Sequence, residues 1–366
     1  MKVGKRVFPL FVLLLFLGVL TGNACRGYAA DSAGGRVILK DTAGRSVVLL
    51  AQPKRIVSLN DEASELICAF GAAEKLAGVS DSCNFPSILK DKAKAGKTME
   101  PDLKKIAAAK PDLVIAGTAL KKDALADLKR TGVPVFLFDC RKFESMARNM
   151  ELLGGIVGKE SESKEYAAFV KKHLDMVKQR TKDLPAGKKP RVYLEDDKDY
   201  ATFGYSSEGA RLIEMAGGRN VAADRSAKAP VVNSRWAVAK NPGVIIKYVG
   251  STPDGGVSEA VLKKKKDGIT ARAEWKNIAA VKSDKVYLLN CDVCRGPRAV
   301  IGLAYLSKWL HPDLFKDLDP VALSREISEK FYSQEVKAAW VYPSVQLLKQ
   351  PASGQEALSK ESEKIK

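Results

Sequence analysis

The sequence predicts an α/β fold of two lobes, each built on a mostly parallel sheet, joined by a single long helix. Three observations point there. Short apolar segments of strand length alternate with amphipathic segments of about ten residues, the pattern of successive β-α units. The stretch Lys159–Leu184, KESESKEYAAFVKKHLDMVKQRTKDL, interrupts that alternation once. And 366 residues are enough for two substantial cores.

In the first lobe, residues 36–158, RVILK and RSVVLL flank a turn at Asp41–Gly44 and read as a hairpin. Arg55–Leu59 is a strand. Asn60 or Asp61 caps a helix that runs to Phe70 and stops at Gly71. Leu76–Ser80 is the next strand, ending in the loop Asp81–Pro86. Asp102–Lys110, Lys121–Thr131 and Glu144–Val157 read as helices, with buried strands at Asp112–Ala116 and Val133–Phe138 between them. In Lys159–Leu184, Tyr166, Phe169, Val170, Leu174 and Val177 follow the spacing of one helix face, and charged residues fill the other. Pro185 and Gly187 stop it. About 23 residues at about 1.5 Å each span ~35 Å, enough for a strut between lobes. The plainer reading is a surface helix within one α/β domain. In the second lobe, residues 188–335, strands fall at Arg191–Leu194, Val244–Tyr248 and Lys285–Leu289. Helices fall at Glu208–Ala216, Ala299–Leu310 and Leu323–Phe331. The run Lys263–Lys266 reads as a solvated loop, and residues 336–366 as a partly disordered extension.

Residues 1–29 read as a secretory signal: Lys2, Lys5 and Arg6 precede the apolar run Val7–Leu20, and small residues follow. The apolar run is too short to span a membrane. Cleavage after Ala29 makes a soluble exported protein. Cleavage before Cys25 makes a lipid-anchored one, although Gly22 stands where a lipobox usually has Leu. The formal charge is +18, and losing the leader leaves the chain strongly basic. Such a chain suits an anionic ligand, an anionic membrane surface or nucleic acid, but no nucleic-acid motif accompanies the charge.

Several motifs occur in order: DTAGRSVVL, QPKRIVSLNDEASELICAFGAAEKLAGVS, DLKKIAAAKPDLVIAG, VPVFLFD, LIEMAGGRNVAAD and GPRAVIGLAYLSKWLHPDLF, followed by Phe331-Tyr332. Over about residues 36–335 they make the chain resemble the class III substrate-binding proteins of ABC importers, the receptors for ferric siderophores, haem and cobalamin. The resemblance implies the helical-backbone, metal-receptor architecture, with ligand held between the lobes and a small hinge motion on closing. It implies a monomer that is not an enzyme, needs no cofactor, and hands a small-molecule metal chelate to a permease dimer with a cytoplasmic ATPase. Docking in that family uses one surface Glu per lobe. Glu214 matches in the second lobe, whereas the first-lobe position is Lys104, leaving Glu100 or Asp102 to substitute. The family's SxE and NPD motifs are also altered, to Asn233-Ser-Arg235 and Asn241-Pro-Gly243. Two tryptophans that line the cleft of cobalamin receptors match Thr98 and Ala229. With the basic charge, this favours a ferric siderophore, an iron-containing complex, over a corrinoid.

In such sheets the ligand lies outside the carboxyl ends of the strands. The residues expected to bind it there are Asn60, Asp81, Cys83, Phe85, Thr118, Cys140, Arg141, Tyr200, Tyr205, Arg235, Cys291, Cys294, Arg295 and Arg298. The arginines can fork onto carboxylates or catecholates, or stand as solvated loop residues. Tyr200, Phe203 and Tyr205 can wall the site, place a phenolate on haem iron, or pack in the core. Cys291-Asp-Val-Cys294 directly after a strand suits a disulfide, a redox pair or a soft-metal clamp. Export makes disulfides the default, Cys291–Cys294 and Cys83–Cys140 being the candidate pairs. Cys68 reads as a small core hydrophobe. His173 and His311 fall away from these loops, which disfavours a His-ligated metal. Enzyme motifs are poor. Asp91 replaces the glycine a phosphate loop needs before Lys97-Thr98, and Gly204–Gly209 is one residue too long for a nucleophile elbow.

Overall fold

The computed structural model describes residues 36–205, 207–250, 257–332 and 340–343, so the leader and Cys25 lie outside the described residues. The chain opens with the antiparallel hairpin β1 (Val37–Lys40) and β2 (Ser46–Leu49). Buried Asp41 holds its turn, accepting from the backbone N–H groups of Ala43 and Arg45, and docks it on the first sheet by accepting from Leu137 N–H. Then come β3 (Ile56–Ser58), α1 (Asp61–Ala69), β4 (Leu76–Val79), the short hairpin β5 (Gly96–Lys97) and β6 (Glu100–Pro101), and α2 (Leu103–Ala108). β7 (Leu113–Gly117), α3 (Lys122–Arg130), β8 (Val135–Phe138) and α4 (Phe143–Val157) complete the first lobe. Its parallel sheet has the order β4-β3-β7-β8.

Gly158, at φ +68°, ends α4 in the left-handed conformation that glycine adopts without steric cost, and the chain turns into α5 (Glu160–Thr181). Most of the face expected from spacing is buried: Tyr166, Val170, Leu174 and Val177 are in the core, and Phe169 is half-buried against it. α5 lies close on α4, because Gly154 has no side chain to hold Ser163 away.

The second lobe runs β9 (Arg191–Glu195), α6 (Glu208–Met215), β10 (Arg219–Asn220), α7 (Ser234–Lys240), β11 (Val244–Val249), α8 (Glu259–Thr270), α9 (Ala279–Lys282), β12 (Val286–Asn290), α10 (Ala299–Leu310), α11 (Pro320–Tyr332) and β13 (Val341–Tyr342). Its sheet order is β10-β9-β11-β12-β13, parallel except for the edge strand β13. Two expectations change here. The Lys263–Lys266 run is no loop: it lies on α8, where Leu262 and Ile269 bury one face and Lys266, itself buried, pairs with Asp284 at 2.6 Å. And residues 341–342 of the expected extension form an edge strand on β12.

Strand alternation divides the apolar residues into three layers. Val57, Val114, Val135 and Leu137 back the first sheet, and Tyr193, Ile245, Val286 and Leu288 back the second. The residues between, among them Ile56, Leu113, Ile115, Phe136, Val192, Leu194, Ile246 and Leu289, join α4, α5, α6, α10 and α11 in one continuous core shared by both lobes.

Candidate ligand-binding cleft

The carboxyl ends of β3, β7 and β8 face those of β11 and β12 across a cleft of about 470 Å³. From the first lobe it is lined by Asn60, Gly117–Ala119, Phe138, Asp139 and Arg141–Phe143. The second contributes Phe203, Ser207–Gly209, Arg211, Lys228, Ala229, Tyr248, Cys291, Cys294 and Arg295.

Asn60 reaches this position as the N-cap of α1. Its Oδ1 accepts from Ala63 N–H at 2.7 Å, and its Nδ2 donates to Phe138 carbonyl at 3.2 Å, so the amide pins β8 to the start of the helix. Arg141 follows β8. Its Nε donates to Glu62 at 2.8 Å, and its Nη1 lies 3.8 Å from Glu208 of the opposite lobe. Burial works against the Arg141 charge, but Glu62, Glu208 and Asp139 outweigh it and hold the guanidinium above its ordinary pKa. Arg211, one turn into α6, donates through Nη2 to both carboxylate oxygens of Glu144 on α4, with Oε1 at 2.6 Å. The cleft is thus crossed twice by opposite charges.

The floor in the second lobe is less polar. Cys291 is half-buried, and burial pushes its thiol up to about 12 against the pull of Arg295. Cys294, buried, donates to the Asn290 carbonyl at 3.4 Å. Tyr248 packs edge-on against Phe203, and its buried hydroxyl lies beside Cys294.

Of the residues expected to bind ligand, Asn60, Thr118, Arg141, Cys291, Cys294 and Arg295 are brought together here. The others lie elsewhere. Arg298 is one turn past Arg295 and points away, into a buried node between the lobes. Its Nε donates to both oxygens of Glu65 on α1 at 3.0 and 3.1 Å, and its Nη2 lies 2.9 Å from Oε2. The Tyr332 hydroxyl donates to the same carboxylate and meets the Tyr166 hydroxyl of α5 at 3.0 Å. Phe85 lies under the Arg298 guanidinium at 4.1 Å, and so belongs to that node as well. Asp81 is exposed and ties its loop to Gly96 N–H, while Cys83 and Cys140 are buried in the shared core. All five described cysteines are free thiols, so neither expected disulfide is present. Cys68 packs against the core.

Tyr200 stacks behind the second sheet, on Arg272 at 4.5 Å. There Arg272 and buried Lys247 neutralise fully buried Glu195. Tyr205 is exposed, as is Arg235 on α7. Neither histidine is at the cleft: His311 bonds the Gly217 carbonyl and His173 the Phe169 carbonyl. Among the described residues no group of three or more His, Cys, Asp or Glu is placed to hold a metal ion. Sequence reasoning missed Tyr248, Arg211, Lys142 and Lys228. The available signal for Tyr248 was its position at the carboxyl end of a strand, and for Arg211 its place one turn past the helix cap Ser207.

Residues 56–293 match the family of periplasmic binding proteins. The chain belongs to that family. This periplasmic binding protein is 28% identical over 290 residues to an uncharacterized ABC transporter substrate-binding lipoprotein, YvrC, of Bacillus subtilis, covering 77% of this chain and 87% of that protein. It is 26% identical over 257 residues to the vitamin B12-binding protein of Vibrio parahaemolyticus, covering 69% and 87%. In fold it is similar to the molybdate periplasmic binding protein MolA of Haemophilus influenzae, with a TM-score of 0.71 at 21% identity over 82% of this chain and 99% of that one. It is a class III substrate-binding protein of an ABC importer, and in such proteins the molecule in the cleft is cargo rather than cofactor. No helix among the described residues is long and apolar enough to cross a membrane.

Proposed function

We propose that this protein captures an anionic metal chelate, a ferric siderophore, between its lobes and delivers it to an ABC permease driven by a cytoplasmic ATPase. The observation that carries the reading is the charge of the cleft. Arg141, Lys142, Arg211, Lys228 and Arg295 line it, against the acids Asp139 and Glu208. A cleft of about 470 Å³ is ample for a small molecule. A ferric chelate brings its own oxygen ligands, so the protein has only to supply shape and positive charge. Phe143 and Phe203 offer apolar faces for catechol rings, and Ala229, which the family resemblance matches to a cleft tryptophan of cobalamin receptors, lines the cleft with only a methyl group. Docking on the permease falls to Glu214 on α6 and Glu100 beside Lys97 on the β5–β6 hairpin, both exposed.

Calorimetric titration of the mature protein with a ferric tris-catecholate, haemin and cyanocobalamin tests this. The tris-catecholate should bind tightest. Arg211→Ala with Arg295→Ala should weaken it by about tenfold or more, the worth of one or two charge-assisted hydrogen bonds. Preferential binding of cyanocobalamin, or an unchanged affinity in the double variant, would overturn the proposal.

A further inference from the structure

The two ion pairs that cross the cleft are reciprocal. On the first lobe Arg141 and Glu144 are three residues apart where β8 runs into α4; on the second, Glu208 and Arg211 are three residues apart on the first turn of α6. Arg141 faces Glu208, and Arg211 is forked by Glu144. Each lobe therefore lends a carboxylate to an arginine of the other, and both arginines line the cleft. Arg141 is also held by Glu62 of its own lobe, which is far less exposed than Glu208.

We propose that Glu208 and Glu144 are stand-in anions, occupying the cleft arginines until cargo displaces them, so that the cleft selects multiply charged chelates. The inference rests on the anionic-ligand reading above. Its physical basis is the weakness of the two pairs. Glu144 and Glu208 are 71% and 46% exposed, and solvent screens such pairs until they cost little to break. A ligand with one negative charge merely exchanges one carboxylate for another. One with several charges satisfies both arginines at once and also reaches Lys142, Lys228 and Arg295. Glu62 remains in place and keeps the Arg141 guanidinium aimed into the cleft.

The acids should therefore lower affinity for cargo, the reverse of what a ligand contact or a closing latch would do. Wild type, Glu208→Gln, Glu144→Gln and the double variant are to be titrated with a trianionic ferric tris-catecholate and with an uncharged ferric tris-hydroxamate, at low and high salt. Each single variant should bind the tris-catecholate about two- to fivefold tighter, the range of an exposed ion pair, with a gain that shrinks in high salt. Affinity for the tris-hydroxamate, which brings no charge for the arginines, should rise less than that for the tris-catecholate. Glutamine is isosteric with glutamate and both sites are solvent-facing, so thermal unfolding of the ligand-free variants should match wild type. Equal or weaker tris-catecholate binding by both single variants would overturn the stand-in role while leaving the anionic reading intact. Failure of wild type itself to bind the tris-catecholate would overturn that reading, and the inference with it, before any variant is compared.

Discussion

Replacing Arg298 by Met tests the reassignment of this arginine from ligand contact to structural bolt. In the native protein, burial pushes the Glu65 carboxyl upward, while Arg298 and the Tyr332 hydroxyl pull it back. Glu65 is 4% exposed. Methionine fills most of the volume but leaves that carboxylate without its counter-charge, and breaking a buried pair from one side costs about 3–5 kcal/mol. Loss of the contact with the Phe85 ring adds to this. The carboxyl can escape part of the penalty by taking up a proton. A carboxyl held above its unfolded pKa stabilises the fold below the unfolded value and loses that contribution as pH rises through the folded value. The substitution raises the folded value further. Its cost should therefore be large at pH 8 and smaller near pH 5, where the remaining loss is that of ordinary hydrogen bonds, about 1–2 kcal/mol. Urea unfolding of wild type and variant at both pH values measures the difference. Glu65→Gln combined with Arg298→Met should recover much of the pH 8 loss, and chelate affinity should stay at the wild-type level, because Arg298 is outside the cleft. A cost that does not vary with pH, or a large loss of chelate binding in a protein that remains folded, would refute the reasoning.

The cysteines give a second test. Cys291 in the cleft and Cys68 on α1 are half-buried thiols, whereas Cys83, Cys140 and Cys294 are buried, and burial drives all five upward. Reaction with a thiol reagent at pH 7 should be slow and led by the two half-buried thiols, Cys291 and Cys68, becoming fast for all when the protein is unfolded. Immediate modification of Cys294 together with Cys291 in the native protein, located by peptide mapping, would instead mark them as a reactive pair. A third test is Gly154→Ala on α4. The added Cβ would fall 1.9 Å from the Ser163 Oγ and 2.9 Å from the Lys159 carbonyl, forcing α5 outward. Overpacking of that kind costs about 1–3 kcal/mol, visible in thermal unfolding. An unchanged midpoint would mean that α4 and α5 can part without loss.

The elements that were legible in the sequence are those with enough residues to show a period. The buried stripe of α5 recurs from Ser163 to Thr181, about five turns, β7 and β8 are unbroken apolar runs, and β9, β11 and β12 each carry at least three consecutive apolar residues. Two-residue strands such as β5, β6, β10 and β13 have no period to detect, and their pairing is decided by what the chain packs against. The run Lys263–Lys266 misled because a charge count ignores phase. Lys266 shares a helix face with Leu262 and Ile269, and its long stem can be buried while its amine finds Asp284. In the cleft, the rule that ligands lie at strand carboxyl ends placed Asn60, Thr118, Arg141, Cys291, Cys294 and Arg295 together. It could not tell Arg295 from Arg298, since one turn of 3₁₀ helix, Gly296–Arg298, sends the two guanidinium groups to opposite sides of the same wall. Nor could it find Arg211, whose position depends on how α6 approaches the other lobe.

The uninterrupted apolar layer between the two sheets governs how this molecule can be taken apart. Cutting the chain within α5 would strand Tyr166, Val170, Leu174 and Val177 against water, and each half would be left with an open greasy wound where α10 and α11 had lain. Halves exchanged between relatives would therefore have to travel with these three helices as a matched set, including the tyrosines that close over Glu65. Cargo preference could be re-engineered at the cleft rim without touching that seam.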